Sequence, residues 1–120
     1  MTTKKKILLV EDEKALCLLY EEELSREGYE ITAVTDAEAA LAKLNETVFD
    51  LIITDIRMPG KNGIELITQI MGLRKDVPII INSAYQSYKE DFMTWAADAY
   101  VVKSSSLDEL KARIKQMLGD

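Results

Sequence analysis

Residues 50–60 read Asp50-Leu51-Ile52-Ile53-Thr54-Asp55-Ile56-Arg57-Met58-Pro59-Gly60. The run 51–54 is of strand length and too short for a helix. It stops at an acid ahead of a Pro-Gly turn. An unbroken apolar run, rather than an alternating one, is what a strand covered on both faces requires, and that is the habit of parallel sheets. Working outward, similar runs lie at 7–10, 77–81 and 100–102, while 29–34 is more mixed and reads as an edge strand.

Between the runs the apolar period changes to that of a helix. Leu16, Leu19, Tyr20 and Leu24 make one stripe, with Gly28 placed to end the helix. Thr35 and Glu38 have capping-box spacing ahead of Ala37, Ala40, Leu41 and Leu44. Asn62 is placed to cap a helix bearing Ile64, Ile67 and Met71. Ser87 with Glu90 precedes Tyr88, Phe92, Trp95 and Ala96, and Ser106 with Glu109 precedes Leu107, Leu110, Ile114 and Met117. Strand and helix alternate five times, so the chain reads as an α/β protein, (βα)5, built around a five-stranded parallel sheet. No linker or repeat divides it. One domain over residues 1–120 is expected, with any output module on another chain.

Composition narrows the chemistry. The chain has 120 residues, 48% hydrophobic and 30% charged, with a net charge of −6. That is enough apolar material for a core. The acidic balance argues against nucleic acid or an anionic membrane as partner, since both need basic patches. There is no histidine, which removes Ser-His-Asp catalysis, histidine-ligated metals and autophosphorylation on histidine. A single cysteine, Cys17, excludes an intrachain disulfide framework. Lys4-Lys5-Lys6 precedes an apolar run that ends after four residues at Glu11, too short for a signal core or a bilayer span. A cytoplasmic location is expected.

In an open parallel sheet the site lies beyond the carboxyl ends of the strands. There the sequence has Glu11, Asp12 and Glu13 after the first strand, and Thr35 and Asp36 after the second. Asp55 follows the third, Asn82 and Ser83 the fourth, and Lys103 the fifth. Each has an ordinary explanation: acids at a helix N-terminus, a turn aspartate, a turn hydroxyl, a solvated lysine. Jointly they are improbable by accident. If strands 1 and 3 are neighbours, Glu11, Asp12 and Asp55 converge. Their mutual repulsion is relieved by a hard divalent cation, Mg2+ by preference. Acids, a cation, a hydroxyl and a lysine form a cradle for a phosphoryl group.

The whole chain resembles the receiver domain of bacterial response regulators, the phospho-acceptor half of two-component signalling. The resemblance is carried by Ile7-Leu8-Leu9-Val10-Glu11-Asp12-Glu13, by residues 50–60 with Asn62-Gly63, by Ser83-Ala84 and by Tyr100-Val101-Val102-Lys103. It implies a doubly wound, flavodoxin-like fold with strand order 2-1-3-4-5. It also implies that Asp55 takes a phosphoryl group from the phosphohistidine of a sensor histidine kinase or histidine phosphotransfer protein. Asp12, Asp55 and the backbone carbonyl of Arg57 would bind Mg2+, with Glu11 acting through water. Lys103 would pair with the phosphoryl oxygens, Ser83 would hydrogen-bond the group, and Tyr100 would turn inward behind it. The face of the fourth helix, fifth strand and fifth helix would then change for a downstream effector protein.

Some positions depart from the family pattern. Ser104 stands where proline often follows the lysine, and Ser83 replaces the commoner threonine. Arg57 and Tyr85, both bulky, are expected to slow hydrolysis of the acyl phosphate. The reading is a single-domain switch rather than an enzyme; a phosphorelay intermediate, a phosphate sink or a non-phosphorylated scaffold are the alternatives. A haloacid-dehalogenase-type phosphatase would need a second acid at position 57, which holds arginine. A flavin-binding flavodoxin-like module would need a glycine- and hydroxyl-rich loop where Glu11, Asp12 and Glu13 stand.

Overall fold

The computed structural model describes residues 4–55, 69, 72, 77–83, 99–103 and 106–119. Five strands, β1 (Lys6–Val10), β2 (Glu30–Val34), β3 (Leu51–Thr54), β4 (Ile79–Ser83) and β5 (Ala99–Val102), form one sheet in the order 2-1-3-4-5. All four pairings are parallel. The fold is therefore the flavodoxin-like arrangement implied by the resemblance. β2 is an edge strand, in keeping with its mixed composition.

Three helices are described in full: α1 (Lys14–Arg26), α2 (Ala37–Glu46) and the C-terminal α3 (Asp108–Leu118), which is the fifth helix of the sequence pattern. Residues 69 and 72 are also helical. The expected cap at Asn62 and its apolar positions Ile64, Ile67 and Met71 lie outside the described residues. So do the box at Ser87 with its helix, Arg57, Tyr85 and Ser104.

Side chains alternate across the sheet, and each face has its own core. Leu8, Val10, Ile52, Ile79, Ile81 and Tyr100 pack with Ala37, Ala40 and Leu44 of α2. Ile7, Leu9, Leu51, Ile53, Ile80 and Val101 pack with Tyr20 and Leu24 of α1 and with Leu110 and Ile114 of α3. Burial on both faces explains why these strands are apolar at successive positions. Each fully buried Ile or Leu contributes on the order of 1.5–3 kcal/mol.

Four local expectations are corrected. In α1 the buried residues are Cys17, Tyr20 and Leu24, while Leu19 is 45% exposed. Leu19 lies about 100° round the helix from Tyr20, off the sheet-facing stripe, and Cys17 fills the place. At α2 the cap is Asp36, not Thr35: its carboxylate accepts from the Ala39 N–H at 2.7 Å. The helix starts one residue later than a Thr35 box requires, and aspartate caps at least as well as threonine. The fourth strand runs over Ile79–Ser83 rather than 77–81. Pro78 has no N–H and enters the ladder only through its carbonyl, which accepts from the Ile52 N–H at 3.1 Å; at the far end, pairing with Val101 and Val102 holds Asn82 and Ser83 in the sheet.

The helix stop at Gly28 agrees. Gly28 has φ +98° just past α1 and closes it with an N–H donated to the Ser25 carbonyl. The Ser106–Glu109 box is the fourth correction: the N-cap of α3 is Leu107, without a side-chain capping bond, and the Ser106 hydroxyl accepts from the Asp108 N–H at 3.2 Å just ahead of the helix. Among the described residues no helix is long and apolar enough to cross a membrane.

Candidate functional site

Successive strands are added on opposite sides of β1: β2 on one side, β3 on the other. The point between β1 and β3 where strand order reverses is where ligands of such sheets bind. Glu11 and Asp55 stand at that point. The backbone N–H of Glu11 extends the β1–β2 ladder to the Val34 carbonyl at 3.0 Å. The N–H of Asp55 extends β1–β3 to the Val10 carbonyl at 3.3 Å. Both acids are thus fixed on strand ends, and both are buried, Glu11 at 2% and Asp55 at 7% exposure. The Thr54 hydroxyl donates to the Asp55 carbonyl at 3.0 Å, a further restraint on the same turn.

Oxygens of Glu11, Asp12 and Asp55 lie within 4.8 Å of one another. The sequence expected these three to converge if β1 and β3 were neighbours, and they are. Lys103, at the end of β5, reaches across: its Nζ lies 2.7 Å from Glu11 Oε1 and 2.7 Å from Asp55 Oδ2. Its own N–H donates to the Ser83 carbonyl at 2.7 Å, so β4 positions its backbone. Glu13 stays outside the cluster and supplies only its N–H, donated to Glu11 Oε2 at 3.1 Å. It stands at the N-cap of α1 with no side-chain capping bond, so helix capping does not account for it.

The electrostatics follow from this packing. Burial pushes the Glu11 carboxyl above its ordinary range, and the bond from Lys103 works against that push. For Lys103, burial opposes the charge, but the hydrogen bonds it donates to Asp55 and Glu11 outweigh that and hold the ammonium above the ordinary lysine range. When all are ionised, three carboxylates against one ammonium leave two negative charges, the charge of one divalent cation. The donors are hard oxygens. Ligands across an octahedral Mg2+ are about 4.2 Å apart, so a small inward movement brings these oxygens onto one ion. The residues present fit Mg2+.

Ser83 is wholly buried in β4, two positions on from Ile81 and so on the α2 face with Tyr100. Sequence reading put it beyond the strand. Tyr100 is 2% exposed and packed in the core. The Arg57 carbonyl lies outside the described residues. One contributor was not named from sequence, Thr54; Asn82, placed beyond the fourth strand by sequence reading, lies within it. The signal for Thr54 was available: it is a polar residue closing an otherwise apolar strand. Cys17 is buried, which raises its thiol and keeps it from thiolate chemistry.

With fold and site in hand, comparison with known proteins is informative. Residues 7–115 match the response regulator receiver domain family, and the chain belongs to that family. The response regulator ArlR of Staphylococcus saprophyticus is 38% identical over 114 residues, covering 94% of this chain and 52% of its own length. The chain spans about half the length of the curated relatives it matches. Among solved structures, the response regulator TrrA of Thermotoga maritima in complex with Mg2+-BeF is 46% identical with a TM-score of 0.89, over 95% of this chain and 99% of that one. TrrA in complex with the histidine kinase ThkA gives 46% identity and a TM-score of 0.87, over 95% of this chain and 98% of that one.

Proposed function

We propose that residues 1–120 work as a single-domain response regulator, a switch set by phosphorylation of Asp55 in the presence of Mg2+. The observation that carries this reading is the Lys103 ammonium 2.7 Å from the Asp55 carboxylate, inside a cluster short of two positive charges. In this reading Asp12, Asp55 and the Arg57 carbonyl hold Mg2+ and Glu11 acts through water. When bound, the ion neutralises charge on the phosphoryl oxygens. The TrrA structure with Mg2+-BeF supports the choice of metal.

Transfer is a single displacement. An Asp55 Oδ attacks phosphorus and a P–O bond forms. The P–N bond to the donor histidine breaks, and its electron pair stays on the imidazole. Lys103 follows the charge from the carboxylate to the phosphoryl oxygens. Ser83 moves toward the new group and hydrogen-bonds it, and Tyr100, already buried in the core, repacks behind it. The donor is a sensor histidine kinase or histidine phosphotransfer protein, a proposal supported by the complex of TrrA with ThkA. The output is a changed face formed by the fourth helix, β5 and α3, read by an effector protein in the cytoplasm. The chain is a phospho-acceptor and not an enzyme with an external substrate.

Intact-mass spectrometry after incubation with acetyl phosphate and Mg2+ tests this directly. One added phosphoryl group is expected in the wild type and none in Asp55→Asn. An unchanged wild-type mass would reject the switch and favour a receiver-like scaffold.

A further inference from the structure

Asn82 is 3% exposed, and its side-chain Nδ2 has no hydrogen-bond partner. A buried amide donor left without an acceptor is a standing cost to the fold, and in a native protein it calls for a reason. Its place supplies one. The β3–β4 ladder pairs Thr54 with Ile81, so one step further Asp55 stands beside Asn82. Asn82 follows Ile80 by two residues and Asp55 follows Ile53 by two, and Ile53 and Ile80 share the core on the α1 face. Alternation therefore puts the amide and the acceptor carboxylate on the same face of neighbouring strands. Asn82 also pairs with Val101, two residues before Lys103. It is the polar side chain of β4 on the face where Glu11, Asp55 and Lys103 meet.

We propose that Asn82 is a positioning residue for phosphoryl transfer, a donor held in reserve whose amide N–H bonds the Asp55 carboxyl once Lys103 moves off it. Before transfer, Lys103 holds Asp55 Oδ2 at 2.7 Å. As charge moves to the phosphoryl group the ammonium follows it, and the carboxyl oxygen it leaves needs a donor. Among the described residues, Asn82 is the neighbour with one unused. A bond absent before transfer and made as it proceeds favours the phosphorylated form rather than binding both states equally. The chemistry is otherwise unchanged. With acetyl phosphate, a P–O bond forms at an Asp55 Oδ, the P–O bond of the donor breaks, and acetate leaves with the electron pair.

This inference rests on Asp55 being the acceptor, and the test keeps the two apart. Asn82→Leu removes the donor at similar volume. The thermal midpoint of the unphosphorylated variant is expected to equal or exceed that of the wild type, because an unsatisfied buried group is gone. Its rate of phosphorylation by acetyl phosphate with Mg2+ is expected to fall about tenfold, the worth of one hydrogen bond. A purely structural role would move stability and rate down together. On the wild type, the Asn82 side-chain amide signals in a 15N-correlated NMR spectrum should shift downfield on adding acetyl phosphate and Mg2+. A rate within twofold of wild type in a folded variant, or stationary amide signals while Asp55 is phosphorylated, overturns the Asn82 assignment alone. No phosphoryl on wild-type Asp55 overturns both readings, and a variant that does not fold leaves the amide signals to decide.

Discussion

Lys103 and Glu11 illustrate how much a single side chain can owe to its surroundings. A surface lysine at the end of a strand would contribute almost nothing. Here its ammonium bonds two buried carboxylates at 2.7 Å and makes their burial tolerable. Its proton affinity is raised, so the stability it gives is present across neutral pH and is lost only as pH rises through its folded value. Glu11 has the opposite character. Burial lifts it above the ordinary 4.5, so folding alone favours the protonated acid, and this contribution is lost as pH rises through its folded value. Metal binding needs the charged acid, so the ion must displace that proton. Mg2+ affinity is therefore expected to weaken on acidification, beginning above pH 4.5, with protons released on binding. Titration calorimetry in two buffers of different ionisation heat checks this; an affinity flat from pH 7 to 4.5 contradicts it.

At the level of elements, caps and glycines set where each helix begins and stops, and small errors of register move a signal onto the wrong residue. For α2 the sequence offers Thr35 and Asp36 side by side, and only the geometry of the first turn chooses between them. Asp36→Ala should cost about 1 kcal/mol in urea unfolding and Thr35→Ala close to nothing. Equal costs would return the cap to Thr35. The two-residue displacement of β4 has the larger consequence. It turns Asn82 and Ser83 from loop residues into strand residues with opposed side chains. Pro78, which lacks an N–H, was a legible reason to start the strand later; its far end is set by pairing with β5, which local pattern does not show.

Across the whole molecule, the sheet separates two cores that share only its backbone. Leu24 lies under α1 on one face and Leu44 under α2 on the other, both at most 2% exposed. Each leucine-to-alanine change should cost about 2–5 kcal/mol. The double variant should lose the sum to within about 0.5 kcal/mol, in one cooperative transition. A coupling above 1 kcal/mol in denaturant melts would mean the faces communicate through the strands. The sequence by itself determined the class: apolar runs of strand length alternating with helical stripes admit a parallel sheet and little else, because only two-sided burial tolerates strands apolar at successive positions. It also named Glu11, Asp12, Asp55, Ser83 and Lys103, because polar residues at the ends of apolar strands are conspicuous. What only the tertiary structure decided was adjacency. That Lys103 closes on Glu11 and Asp55, and that Asn82 lies beside Asp55, depend on strand order and ladder register. Those are fixed by contacts between residues distant in the chain, which local pattern does not encode.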